Sequence, residues 1–364
     1  MKINKFDLKY SKKDISLYLK YCESILQNGF IAESTFVKKF ENDFKGLQQI
    51  NHGYLVGSGT DALQVAFNAA KLENQDVLMP ANTFVATYIA AHLSGANIKL
   101  IDVNPADGII SFSDIVKNTT KKTKAVCIVH IGGHITKEIF KIKKFCNENN
   151  IILIEDAAHC VGSSRSNIYA GSFGDYGCFS FYPTKSLTMG EGGFVSFNNP
   201  TLENDVYGLK NFGRTTKIED EHNILGYNMK VTESQAALGL VDIQRFSSRL
   251  NKRRALFEVY LSELKSKYID ILHSSSFLES SCYKIIMKSE KTLIDEVENL
   301  FKKNHISMTG KVYSKQIGSH KAFSNEKTFT NAQQFIDTHF CPPLYPELTK
   351  TQIKFICKVL NKAF

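Results

Sequence analysis

One lysine, one pair of carboxylates and one glycine-broken turn carry most of the chemistry that this sequence offers. Lys185 stands in "CFSFYPTKSLTMGEGGF", residues 178–194, where an apolar stretch gives way to a glycine-rich turn. Lysine is seldom buried unless it is paired or chemically committed. Desolvated at a strand end, its amine loses its proton more readily and becomes a Schiff-base nucleophile. Glu155 and Asp156 close the run "IILIED". Neighbouring residues on a strand face opposite ways, so only one of the two can serve a given pocket. The two alanines after Asp156 leave room for a flat ring. Gly57-Ser58-Gly59-Thr60 follow an apolar run and precede a helical pattern that starts at Asp61. Exposed N–H groups at a helix start, beside glycines that admit a ligand, suit an anion. An ordinary strand-to-helix turn capped by Thr60 accounts for the same residues.

What is missing narrows these readings. "GSGTDA" fits the G-x-G-x-x-A pattern of dinucleotide sites, but such sites also need an acid about 20 residues further on. The stretch at that distance, "LMPANTF", has none. No Gly-Lys-Ser/Thr follows either, which excludes a Walker loop. A lone phosphate suits the turn better than a dinucleotide. A metal site would join Asp156 with His159, or His130 with His134 in "VHIGGHI". Gly132-Gly133 argue against a helical ligand pair there. An N-cap role for Asp156 is the plainer alternative. A phosphate site, a carboxylate and a lysine at strand ends nevertheless make a set. Pyridoxal 5'-phosphate needs a helix N-terminus for its phosphate, an acid for its pyridine nitrogen and a lysine for its aldehyde.

The elements that must position this set read as an α/β domain. Strand candidates are "GYLVG", "DVLMP", "IKLIDV", "KAVCIVH", "IILIEDAA", "GCFSFYP" and "GFVSF". They are short, continuously apolar and bounded by Gly, Pro or Asp, the mark of strands buried on both faces of a mainly parallel sheet. Helical patterns at 61–72, 84–93 and 136–149 lie between them. After Val231 the pattern becomes one long helix or two abutting ones, with Thr232 as N-cap. "YKIIM", "LIDEVENLFKKN" and a helix from Thr349 follow. The expected division is a large domain over 1–245 and a smaller α+β domain over 246–364.

Composition bounds the class. Apolar residues at 43% and charged residues at 22% are the balance of an ordinary globular protein, long enough at 364 residues for two domains. The net charge of +9 comes from lysines scattered over predicted helices and loops, so a nucleic-acid partner is not expected. The same surface would attract a phosphate-bearing substrate. No apolar run reaches membrane-span length, and the N-terminus lacks a signal-peptide core. The eight cysteines form no CxxC pair and read as reduced, buried thiols of a cytoplasmic protein.

"GSGTDAL", "PANTFVAT", "IEDAAH", "GSFGDYGCFSFYPTK", "GEGG", "GYNMKVTESQAA" and "CPPLYPELT" together resemble the DegT/DnrJ/EryC1/StrS family of sugar aminotransferases, in order, from about residue 25 onward. The resemblance implies the fold type I architecture of pyridoxal-phosphate enzymes. That is a three-layer α/β/α domain with a roughly seven-stranded, mainly parallel sheet, plus a small C-terminal α+β domain. It implies a homodimer with sites at the subunit interface. Lys185 matches the lysine that carries the cofactor, and Asp156 the acid on the pyridine nitrogen. Phe84 matches a stacking aromatic, with Ala158 on the other ring face. Gly59, Thr60 and Ser180 match phosphate contacts, and Asn228 a phosphate contact from the neighbouring subunit. His159 stands where the family often has glutamine; it can hydrogen-bond near the cofactor's 3'-oxygen, and it could titrate. Lys230 stands where arginine is usual, and "VHIGGH" departs from the commoner tyrosine-glycine form.

The implied reaction is transamination of a keto sugar, nucleotide-linked, in amino-sugar and surface-polysaccharide (lipopolysaccharide or O-antigen) biosynthesis, with L-glutamate or another amino acid as donor. Arg214 is a candidate for a diphosphate and equally a solvated loop arginine. Tyr313 is a candidate substrate contact and equally a packing residue. The rivals are a sugar dehydratase of the same family, a nicotinamide oxidoreductase and a non-catalytic regulator. Some dehydratases of the family carry histidine where Lys185 stands, so the lysine favours transamination. The missing acid weighs against the oxidoreductase, and the presence of Lys185 and Asp156 against the regulator.

Overall fold

The structure, a computed structural model, describes residues 1–215, 221–272, 279–323 and 326–364. All seven strand candidates form strands: β1 (His52–Val56), β2 (Asp76–Pro80), β3 (Asn97–Ile101), β4 (Thr123–Val129), β5 (Ile152–Asp156) and, after the two-residue pair β6 (Ser164–Arg165) and β7 (Ile168–Tyr169), β8 (Tyr176–Ser180) and β9 (Gly193–Phe197). They make one seven-stranded sheet in the order β1-β9-β8-β5-β4-β2-β3. Pairs β2·β3, β2·β4, β4·β5 and β5·β8 are parallel, and β9 alone runs against its neighbours β1 and β8. Every residue of β2 and of β9 is buried, as continuously apolar strands covered on both faces must be.

Helices cover both faces. Before Val231 come α1 (Lys12–Asn28), α2 (Thr35–Gln48), α3 (Gly59–Ala69), α4 (Val85–Leu93), α5 (Phe112–Asn118), α6 (Ile139–Glu148) and α7 (Glu203–Lys210). After them comes α8 (Glu233–Glu263). On one face, Phe40 and Phe44 of α2, Ile139 of α6 and Leu240 of α8 meet Phe179 and Phe194 of the sheet. The Phe44 ring centroid lies 5.2 Å from that of Phe179 and 4.8 Å from that of Phe194, so phenylalanine supplies the aromatic packing here in a chain that has no tryptophan. On the other face, Val65 of α3, Ala90 of α4 and Leu209 of α7 pack on Val77 and Met79.

The long apolar-periodic stretch after Val231 is a single helix. Thr232 caps α8 in a reciprocal box with Gln235, as its position predicts. Phe246 and Leu250 of α8 belong to the sheet's core, whereas Leu256, Phe257 and Tyr260 enter a second core. That second core is built on the antiparallel sheet of β10 (Asp270–Leu272), β11 (Ile286–Lys288) and β12 (His339–Phe340). Helices α9 (Lys291–Lys303) and α11 (Lys350–Ala363) flank it, and α10 (Thr330–Thr338) leads into β12. Ile3 from the N-terminus bridges Ile306 and packs in the same core.

Glu155 shows what the other member of the acidic pair does. It is fully buried on the face opposite Asp156. Its carboxylate accepts from the backbone N–H groups of Gly171 (2.9 Å), Phe173 (2.7 Å) and Gly174 (2.7 Å) and lies 2.8 Å from His130 Nε2. The anchor therefore fixes the turn that feeds β8. Glu155→Ala strands buried donors and is expected to cost on the order of 3–5 kcal/mol. Urea unfolding checks this; a loss below about 1 kcal/mol contradicts the anchoring role.

Candidate active site

The parallel strands end along one edge of the sheet, where ligands of open α/β sheets bind. A cavity of about 460 Å³ lies there. Its first wall is the start of α3. Ser58, not Thr60, caps this helix: its Oγ accepts from the Asp61 N–H at 3.1 Å. The helix thus begins two residues before Asp61, and Thr60 sits in its first turn, lining the cavity with Gly59 and Ser180. A Cβ on Gly59 would lie 2.8 Å from the Ser180 Cβ, so only glycine lets the helix start meet the end of β8. A Cβ on Gly193 would lie 2.1 Å from the Ser58 carbonyl oxygen, which explains the last glycine of "GEGG" as a close-approach residue. The result is a cradle of first-turn N–H groups and the Ser180 side chain, suited to a phosphate.

Asp156 ends β5 inside the cavity, only 5% exposed. Its Oδ2 accepts from the Thr87 hydroxyl at 2.7 Å and its Oδ1 from the Ala158 N–H at 3.1 Å. The Thr83 and Thr87 hydroxyl oxygens are 2.8 Å apart. Thr87 spends its proton on the carboxylate, so Thr83 is the donor to Thr87. Two threonines of "PANTFVAT" therefore orient the acid, a role the sequence reading missed. Both carboxylate oxygens thus accept a hydrogen bond, and together the two bonds fix the plane of the carboxylate.

Lys185 lies in the turn beyond β8, five residues after Ser180, and is half-buried rather than enclosed in a strand. Its N–H donates to the Tyr182 carbonyl at 2.9 Å. The turn is tied down from below: the Thr188 N–H donates to Asp242 of α8 at 2.9 Å and its hydroxyl to the Phe181 carbonyl at 2.8 Å. The Lys185 Nζ stands 4.9 Å over the Tyr283 ring, whose hydroxyl is 3.2 Å from that of Thr184. Burial pushes the Tyr283 phenol up, but Lys185 and Lys284 outweigh it and leave the phenol below its ordinary value.

His159 stacks on Tyr283, with ring centroids 4.4 Å apart. The Gly132 N–H donates to its Nδ1 at 3.2 Å, so its proton sits on Nε2. Burial, then Lys185 and Lys284, hold it well below the usual histidine range. With Nδ1 accepting from Gly132, the imidazole has its Nε2–H left to offer as a donor. Tyr313 also lines the cavity, buried and with its ring centroid 6.0 Å from that of His159.

The cavity gathers Gly59, Thr60, Phe84, Asp156, Ala158, His159, Ser180, Lys185 and Tyr313 from the expected set. Phe84 stands at the N-cap of α4 with 59% of its surface exposed, an aromatic face open to a ring. Phosphate cradle, anchored acid, lysine and flanking Phe84 and Ala158 fit pyridoxal 5'-phosphate. Asn228 and Arg214 are not among the lining residues within the one chain. Asn228 bridges Asn211, and the next residue, Met229, accepts from the Gly57 N–H at 2.9 Å. Lys230 Nζ sits 3.8 Å over the Phe212 ring. Tyr283 and Lys284, about a hundred residues beyond Lys185, complete the wall and had no motif to mark them. His130 is engaged by Glu155, and among the described residues no group of three or more metal-ligating side chains converges.

The profile of the DegT/DnrJ/EryC1/StrS aminotransferase family matches residues 13–361. The chain belongs to this family. It is 28% identical to a GDP-perosamine synthase of Escherichia coli O157:H7 over 95% of both chains. It is 30% identical to the UDP-4-amino-4,6-dideoxy-N-acetyl-beta-L-altrosamine transaminase of a Campylobacter jejuni strain, over 91% of this chain and 90% of that one. Among solved structures, the aminotransferase PseC of Helicobacter pylori, involved in pseudoaminic acid biosynthesis, superimposes with a TM-score of 0.90 at 21% identity, over 100% of this chain and 99% of that one. The expected α/β architecture and the aminotransferase class both stand. All eight cysteines are free, and seven are buried. Among the described residues, no helix is long and apolar enough to cross a membrane.

Proposed function

We propose that this family member uses pyridoxal 5'-phosphate to aminate a keto sugar carried on a nucleotide, with an amino acid such as L-glutamate as donor. One observation carries the reading: Lys185, Asp156 and the start of α3 face a single cavity. The sugar substrate rests on the relatives, whose names describe GDP- and UDP-linked amino sugars. The same names support a place in amino-sugar biosynthesis, of the kind that feeds surface polysaccharides. The eight unpaired cysteines favour the cytoplasm. A homodimer in which Asn228 reaches the neighbour's cavity accounts for its place outside its own. Arg214 in that arrangement is a candidate for the nucleotide's diphosphate, and Tyr313 for the sugar.

When bound, pyridoxal 5'-phosphate supplies an electron sink for the bond that breaks at the amino-bearing carbon. The Gly59–Thr60 helix start and Ser180 hold its phosphate. Asp156 keeps a proton on its pyridine nitrogen, because an ionised carboxylate beside that atom favours the charged form. Phe84 and Ala158 confine the ring. The Lys185 Nζ takes the proton from the donor's α-carbon as a general base and later returns one to the acceptor's carbon. His159 stays neutral and offers its Nε2 proton to an oxygen in the cavity.

Borohydride reduction of the purified protein followed by peptide mapping tests the attachment. The label is expected on Lys185; a label elsewhere, or none, refutes the reading. L-glutamate is expected to bleach the visible absorbance in a single turnover, and indifference to glutamate counts against transamination.

Thr87 gives an independent check on the acid's orientation. Thr87→Val removes one charge-assisted hydrogen bond and is expected to slow the glutamate half-reaction about tenfold to a hundredfold. Thr87→Ser retains the hydroxyl and keeps most of the rate. Equal rates in the valine and serine variants would show that the hydroxyl does not act on Asp156.

A further inference from the structure

Lys284 is a charge in the wrong place for a strand flank. It sits in the apolar run "YKIIM" just before β11, half-buried, and lines the same cavity as Lys185. Its backbone N–H donates to the Gly132 carbonyl at 3.2 Å. Close approach makes that contact possible: Gly132 and Gly133 have φ of 65° and 99°. A Cβ on Gly133 would fall 2.3 Å from Ser281 Oγ. The unusual "IGG" after β4 therefore seats this segment against the cavity.

Its ammonium has one partner, the Lys311 carbonyl at 3.1 Å. An ammonium carries three N–H donors, so two remain. Among the described residues no carboxylate lies within ion-pair distance of Lys284. The cavity's own carboxylates are Asp156, bonded to Thr87 and Ala158, and Glu191, exposed at the rim. A half-buried cation left without a counter-ion is costly unless a ligand supplies one.

Under the function proposed above, on which this inference rests, the phosphate belongs to α3 and Lys185 to the cofactor. Lys284 remains. It lines the cavity together with Lys185 and with the stacked rings of His159 and Tyr283, so the two amines border the same space. An amino acid's α-carboxylate is bonded to the carbon that loses its proton, so it must sit beside Lys185. A nucleotide's diphosphate is held away from the reacting carbonyl by the sugar ring. We infer that Lys284 binds the carboxylate of the amino donor and holds its α-carbon beside Lys185.

The test uses the cofactor-loaded enzyme and its Lys284→Met and Lys284→Arg variants. Two dissociation constants are measured: L-glutamate from the concentration dependence of the half-reaction, and maleate, an unreactive dicarboxylate, by calorimetry. Lys284→Met is expected to weaken both about tenfold to a hundredfold. Lys284→Arg should stay within about threefold of wild type, since the charge remains. UDP and GDP, as probes of the nucleotide side, should bind all forms alike. Unchanged maleate binding in Lys284→Met, or an equal loss of nucleotide binding, overturns the inference. Lys284→Gln, which keeps a donor for the Lys311 carbonyl, replaces Lys284→Met should the latter fail to fold. A wild-type enzyme that glutamate does not convert sinks the proposed function instead, so the two failures are distinguishable.

Discussion

Lys185→Ala is expected to lower turnover by about four orders of magnitude, because it removes a nucleophile and a proton carrier together. Methyl cannot stand in for an amine at either task, and the other ammonium in the cavity, Lys284, is tied to the Lys311 carbonyl. The fold should survive. Lys185 is half-buried in a turn whose anchors are Thr188 and Asp242, and its own side chain carries no ion pair among the described residues. The variant should therefore unfold within a few degrees of wild type, still bind pyridoxal 5'-phosphate, and yield no borohydride-stable label. Stopped-flow measurement of the glutamate half-reaction decides the matter. A variant that retains a tenth of the wild-type rate would remove Lys185 from its assigned role.

Asp156→Asn ranks next, with a loss of about a hundredfold to a thousandfold, the usual cost of deleting one preorganised electrostatic group. The amide keeps the volume but not the charge. It also offers an N–H₂ group to a site that already supplies two donors, the Thr87 hydroxyl and the Ala158 N–H. A cofactor methylated on its pyridine nitrogen carries its positive charge without needing a proton. That analogue should restore part of the rate to Asp156→Asn and add nothing to wild type. Failure of the analogue, with the variant's fold intact by circular dichroism, would mean that the carboxylate does not serve the pyridine nitrogen.

The two residues at the heart of these expectations were readable for different reasons. Asp156 ends an unbroken apolar strand, and strand ends are where sheets of this kind bind ligands. Which of Glu155 and Asp156 faces the cavity depends on how β5 lies between α layers, and the structure answers by giving Glu155 to the turn at 171–174. The turn into α3 was legible because Gly57 to Thr60 are contiguous and a helix start is a local event. Its cap is Ser58 rather than Thr60, because the helix starts at Gly59 and the Ser58 Oγ is the one that accepts from the Asp61 N–H.

Apolar runs, glycine punctuation and cap residues act over a few neighbours, so the sequence by itself determined the strands of the sheet, the helical character of the stretch after Thr232 and the family resemblance; that this stretch is one helix rather than two abutting ones was decided by the structure. The tertiary structure decided which distant side chains meet: Thr87 at Asp156, and Tyr283 and Lys284 beside Lys185. No spacing rule announces such meetings. They arise when whole elements pack, and the geometry of packing is a property of the assembled layers rather than of any short stretch of chain.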